Sequence, residues 1–177
     1  ALDFKGADIE FLLCDNALPA CIMSTTVNIS EDELNKDGPK SLCSNCFYDG
    51  FNYLKKSGIK INKMSDYLVN EDYVKAKKIS DKTPSSKIKK FIFDKIPVGS
   101  HAYAGACRFY ATTDIGAEKN GIKILKKYFQ GSLITKLYLD NFFTKNQYYL
   151  IIMNHGIYLP HRVINDYAKK KKYKNVT

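Results

Sequence analysis

Four thiols carry the most distinctive chemistry in this chain. Cys14 and Cys21 lie in "LLCDNALPAC", where an apolar run gives way to Asp-Asn and Leu-Pro, and Cys43 and Cys46 follow in "CSNC". Zinc takes four thiolate or imidazole ligands in a tetrahedron, and two close pairs brought together by a fold are a common solution. In "CSNC" two intervening residues let both sulfurs turn toward one ion, and a helix N-terminus there favours the thiolate. Cys14 and Cys21, with six residues between them, form a looser half-site. Three roles stay open: a structural four-cysteine site for zinc or, less favoured, an iron–sulfur cluster; a redox or disulfide pair; and small hydrophobes buried for packing. Structural zinc supplies on the order of 10–16 kcal/mol of metal-coupled folding energy. That would order the polar stretch 22–42, which has little core of its own. Cys107, among alanines, reads as a core residue.

Two further stretches carry candidate chemistry. In "NHGIYLPH" (154–161), His155 and Gly156 follow the apolar "YYLIIM". Open parallel sheets bind ligands at the carboxyl ends of their strands. There an imidazole can act as a base near neutral pH and a glycine lets backbone approach a ligand. The plainer role for His155 is to cap a strand end. His161 and Arg162 open the next helix. In "VGSHAYAGACRFY" (98–110), Gly99 and Ser100 start a helix whose free N–H groups can cradle phosphate. His101 and Arg108 could then face one cleft. The alternative is that the small residues simply pack this helix closely on a sheet.

Periodicity supplies the elements that would position these residues. "ADIEFLL" after Gly6 reads as a strand sinking into a sheet and ending at Cys14. A helix is expected over 41–57, stopped by Gly58, with Phe47, Phe51 and Leu54 on one face. "IKINKMSDYL" is a strand or extended connector. Residues 70–82 are expected to be helical with Asn70 as N-cap, and Ser85 or Ser86 to cap a further helix over "KIKKFIFDKI". A long amphipathic helix over 116–145 is expected to break near Gly131. "YYLIIMNH" is the cleanest buried strand, and with the helix "HRVINDYAKKKK" and the strand "YKNVT" it makes a βαβ unit. The fold class expected is α/β, a Rossmann-like parallel sheet with flanking helices and a metal-bound loop held by the four cysteines.

The bulk properties narrow the class. A chain of 177 residues with 45% hydrophobic side chains suits one globular domain spanning 1–177. The formal charge is +10, yet only two of the 28 cationic side chains, Arg108 and Arg162, are arginines. Arginine is the residue that reads guanine and phosphate bidentately, and the tyrosines are spread at core-like spacings, so nucleic acid is a poor fit. Abundant lysine and five cysteines without a dense framework point to a reducing cytoplasm. No apolar run approaches the roughly 20 residues that cross a bilayer, which leaves peripheral association with a membrane. Residue 1 is Ala, and both ends read as cuts through a larger αβ design, so the chain is expected to be a fragment.

Taken in order, "LLCD-x-x-LPAC", C-x-x-C, "VGSHAYAGACRFYA" and "NHGIYLPHRVINDYAKKKKYKNVT" resemble the N-terminal half of a family of bacterial capsule and surface-polysaccharide biosynthesis proteins. These look like glycosyltransferases of the two-lobed GT-B architecture. The resemblance touches residues 6–21, 43–46, 98–111 and 154–177. It departs at 171–173, where Lys-Lys-Tyr replaces the usual Gly. It implies an acceptor-side lobe that needs its own C-terminal lobe to hold a nucleotide-sugar donor, and a saccharide or lipid-linked acceptor. His155 or His101 would be the base. Arg108 would steady phosphate, and Gly99, Ser100, Gly156 and Tyr158 would line the cleft. Cys14, Cys21, Cys43 and Cys46 would hold structural zinc, since GT-B enzymes generally need no catalytic metal. The alternative is a basic zinc-bearing module that binds nucleic acid; its signature would be oligonucleotide binding that weakens steeply with salt.

Overall fold

The longest amphipathic pattern in the sequence forms the longest helix, and the rest of the chain is arranged on it. The computed structural model describes residues 6–26 and 29–176. It is mixed α/β and mostly helical. In chain order the elements are strand β1 (Glu10–Leu13), helices α1 (Glu31–Lys36) and α2 (Lys40–Lys55), strand β2 (Lys60–Lys63), helices α3 (Asn70–Lys82), α4 (Ser85–Ile88), α5 (Val98–Tyr110) and α6 (Gly121–Lys145), strand β3 (Leu150–Ile152), helix α7 (His161–Lys170) and strand β4 (Lys174–Val176). The helical turn expected before Gly6 lies outside the described residues. No helix among them is long and apolar enough to cross a membrane.

Helix α6 continues unbroken through Gly131, against expectation. The glycine is a packing residue: a Cβ there would stand 2.9 Å from the Ala20 carbonyl oxygen and 3.0 Å from Leu159 Cδ2. Both loops that carry candidate site residues thus rest on α6. Gly105 of α5 opens a similar notch, since its Cβ would fall 2.5 Å from the Tyr128 ring. The small residues of α5 therefore bring it onto helix α6 rather than onto a sheet, as the sequence suggested. Tyr128, Phe129, Leu133, Tyr138 and Leu139 are fully buried along α6. The one cation among them, Lys136, is paired with Asp94 at 3.0 Å and with Asp140 one turn on, as a buried charge must be.

Local expectations fail where the backbone turns without a glycine. The helix expected after Ser85 ends at Ile88, and its N-cap is Pro84. Asp94 and Lys95 then adopt left-handed φ values of 47° and 64° and close a turn bridged by Phe93 and Ile96. Asn70 opens α3 rather than capping it; Val69 stands at the cap. Gly58, with φ of 71°, ends the α2 region where expected.

The strands form two parallel pairs rather than the single Rossmann-like sheet expected. β1 pairs with β2 in the register Glu10 with Lys60 through Leu13 with Lys63, and β3 pairs with β4 from Leu150 with Lys174. The second pair, joined through α7, is the βαβ unit expected over 148–177. Between the pairs runs an apolar groove of about 510 Å³, lined by β1 on one side, β3 on the other, and Leu139, Phe142 and Phe143 of α6. β1 and β3 face each other across it without pairing. The strand starts are joined by Tyr148, whose hydroxyl donates to Glu10 Oε2. In the loops that follow, nine residues past β1 and seven past β3, the Ile22 N–H donates to the Leu159 carbonyl at 2.9 Å. Start meets start and end meets end, so all four strands run the same way.

Candidate functional site

The far end of the groove, past the carboxyl ends of β1 and β3, gathers most of the candidate residues. Cys14 follows β1 directly. Cys21 caps the short 3-10 turn Ile22–Thr25, and its carbonyl accepts from the Tyr128 hydroxyl of α6 at 3.3 Å. Cys43 and Cys46 sit one turn apart near the start of α2, so they share a helix face. All four line the groove, and all are free thiols. Burial pushes the Cys14 thiol up to about 11, with Cys21 adding to it. Cys43 is pushed up to about 12, by burial first and then by Cys21, Cys14 and Cys46. Cys21 is also raised, mainly by burial, with Cys46 contributing. Thiolates at Cys14, Cys21 and Cys43 are thus disfavoured by burial and by neighbouring thiols, the condition a divalent cation relieves, whereas Cys46 is exposed. Among the described residues, no group of three or more His, Cys, Asp or Glu side chains stands at ligating distance of a common point. The four sulfurs share a wall without closing a tetrahedron. Cys107 lies elsewhere, half-buried against the core.

A row of polar rings continues from this end. His161, the first residue of α7, lines the groove. The His155 ring meets His161 edge-on at 4.4 Å between centroids, and Tyr158 at 5.4 Å. Arg108 of α5 lies over the Tyr158 ring at 4.3 Å and donates to its hydroxyl at 2.9 Å. Nδ1 of both His155 and His161 is buried with no hydrogen-bond partner. Burial, then the neighbouring His155, depresses His161 to about 4, so it is neutral at pH 7. Gly156 is buried, and its carbonyl accepts from Asn165. Arg108 and Tyr158 also line a second, shallow groove with Thr25, Ala111 and Thr113. His155 itself lines neither groove; its ring links His161 of the first to Tyr158 and the exposed Arg108 of the second.

The start of α5 is committed differently. The N–H groups of Val98, Gly99, Ser100 and His101 donate to the carbonyls of Ile96, Phe91, Pro97 and Pro97. The phosphate cradle expected at Gly99 and Ser100 is thus filled by the chain itself. A Cβ at Gly99 would fall 1.8 Å from the Ile88 carbonyl oxygen, so this glycine serves backbone packing. The Ser100 hydroxyl donates to the Pro97 carbonyl at 2.9 Å. His101 is buried and holds Asp166 of α7 at 2.8 Å through Nε2. It joins two helices and lines neither groove, while Arg108, two turns on, reaches the rim.

Sequence inspection passed over Glu10 and Asp166. Glu10 accepts from Lys60 at 2.8 Å, Asn62 at 2.7 Å and Tyr148. Burial opposes its ionisation, yet these donors hold its carboxyl below its ordinary value. Tyr148 lies 138 residues away, and no local pattern signals such a partner. Comparison with known protein families, with curated proteins and with solved structures finds no match to this chain.

Proposed function

We propose that this chain is the acceptor-side lobe of a glycosyltransferase-like protein of capsule or surface-polysaccharide synthesis, working with a C-terminal donor-binding lobe. The observation that carries the proposal is the parallel β3–α7–β4 unit. Its crossover loop sets His155, Gly156 and Tyr158 at the carboxyl edge of β3, where Rossmann-like lobes meet their ligands. That arrangement fits the resemblance carried by the same residues.

In this role His155 takes the proton of an acceptor hydroxyl as that oxygen bonds to the sugar's anomeric carbon and the nucleotide departs with its phosphate oxygen. His155 suits the task better than His101, which is occupied by Asp166. Arg108, exposed and oriented by Tyr158, balances phosphate charge of the donor or of a lipid-linked acceptor. Zinc would be structural. Cys14, Cys21, Cys43 and Cys46 would hold it as a closed site that fixes the loop after β1 and the start of α2 beside the rim. A nucleotide-sugar donor places the work in the cytoplasm, at the inner membrane face where the acceptor is lipid-linked.

The test is nucleotide release by the complete two-lobed protein from UDP-, GDP- and CMP-sugars in the presence of saccharide acceptors. His155→Ala is expected to lower turnover by about 100-fold or more, and Arg108→Ala to raise the donor or acceptor KM. No release from any donor, or an unchanged rate for His155→Ala, would overturn the proposal.

A further inference from the structure

We infer that the groove between β1 and β3 is the seat of a central fifth strand, an apolar segment of the same polypeptide lying ahead of β1 and running parallel to both neighbours. Among the described residues β1 pairs only with β2 and β3 only with β4, and their other edges both border the groove. Two rows of backbone N–H and C=O groups thus lack strand partners beside an apolar space, and such groups need partners. A strand in the groove satisfies both rows at once, and a small apolar ligand satisfies neither.

Composition and direction agree. Phe11, Leu12 and Leu13 on one side, and Leu150, Ile151 and Ile152 on the other, are unbroken apolar runs of the kind found in strands covered on both faces. Yet all of them stay half-buried or exposed, Ile152 at 55%. Both borders run the same way, so a parallel strand matches each. The ionised group at the groove entrance, Glu10, is already taken by Lys60, Asn62 and Tyr148, which favours an apolar occupant over a charged one.

Topology fixes the source. From β1 the chain steps outward to β2; it then returns to β3 and steps outward to β4. Both walks start at the groove. A strand placed there ahead of β1 gives the spatial order β2, β1, new strand, β3, β4, which is the 3-2-1-4-5 order of doubly wound sheets. Each outward step then joins sequential neighbours, as connections generally do. The connections between the four described strands are already filled by described elements. This inference is independent of the sugar-transfer proposal.

The first test is the coding sequence upstream of Ala1. It is expected to hold about four to six consecutive Val-, Ile- or Leu-type residues, followed by an amphipathic helical pattern before Ala1. The second compares amide hydrogen exchange in the 177-residue chain and in the chain carrying that segment. Of the six amides of 11–13 and 150–152, those pointing away from β2 and β4 are expected to exchange about 100-fold more slowly in the longer chain, with α6 equally protected in both. If the shorter chain is too unstable to compare, the longer chain with a proline at the centre of the run is the reference, and the same loss of protection is expected. The inference falls if no such run exists, or if the six amides exchange equally in both chains. It falls equally if dodecanoate protects them in the longer chain, which would mark an open lipid-type pocket.

Discussion

Helices α6 and α2 are both amphipathic, but α6 buries fifteen of its twenty-five residues and α2 none of its sixteen. The first is surrounded by α1, α3, α4, α5 and α7, whereas the second packs chiefly against β1 and β2. On α2 the face built from Phe47, Phe51 and Leu54 is only half-buried, and Tyr48 and Tyr53 point outward at 59% and 79% exposure. The helical half is therefore held by burial of apolar surface. The cysteine half has too little of it, and what the structure shows there instead is the Glu10 network and four free thiols along one wall; a bound ion and a further strand are the two proposals that would supply the rest.

The largest expected effect separates the halves outright. Protein purified without chelator is expected to hold about one zinc per chain, and Cys43→Ser to lose it. Chelation should raise amide exchange across 14–60 to near-unfolded rates while α6 stays protected, since the coupled energy is on the order of 10–16 kcal/mol. Cys14 and Cys43 titrate near 11 and 12 without an ion, so both must release protons to ligate, and zinc affinity should rise with pH. A metal-free protein with unchanged exchange in Cys43→Ser would end the metal proposal. Next, Leu133→Ala on α6 should cost about 2–5 kcal/mol in urea unfolding, and Phe51→Ala on α2 only about 1 kcal/mol. Equal costs would break the contrast.

Two smaller effects sharpen it. Gly99→Ala drives a methyl into the Ile88 carbonyl and should cost about 1–3 kcal/mol, with the zinc content unchanged. His161 is depressed to about 4 from an ordinary 6.5, and His101 is lowered chiefly by burial despite Asp166. Unfolded chains bind the proton first as pH falls, so this stabilisation is complete above about 6.5 and is lost toward 4. The melting temperature should drop between about pH 7 and 4.5, and drop less steeply in His161→Gln.

Local order was largely legible in the sequence, and neighbourhood was not. The span of α3, the extent of α2 up to Gly58 and the β3–α7–β4 unit follow from periodicity and punctuation. The turn at Asp94 and Lys95 escapes because neither residue announces a left-handed backbone, and Gly131 misleads because its task is to admit Ala20 and Leu159. Cysteine spacing picks out four thiols that do share one wall. Strand patterns give no pairing order, so one sheet was expected where two pairs stand. His101 with Asp166 and Glu10 with Tyr148 join residues 65 and 138 positions apart, beyond the reach of any motif.

Glu10 gathers Lys60, Asn62 and Tyr148 at the start of the strands, and the opposite end is spanned by the Ile22–Leu159 bond. The two strand pairs are therefore tied across the groove at both ends, by a carboxylate at their starts and, beside the thiols and imidazoles, by a backbone bond and the Gly131 notch of α6.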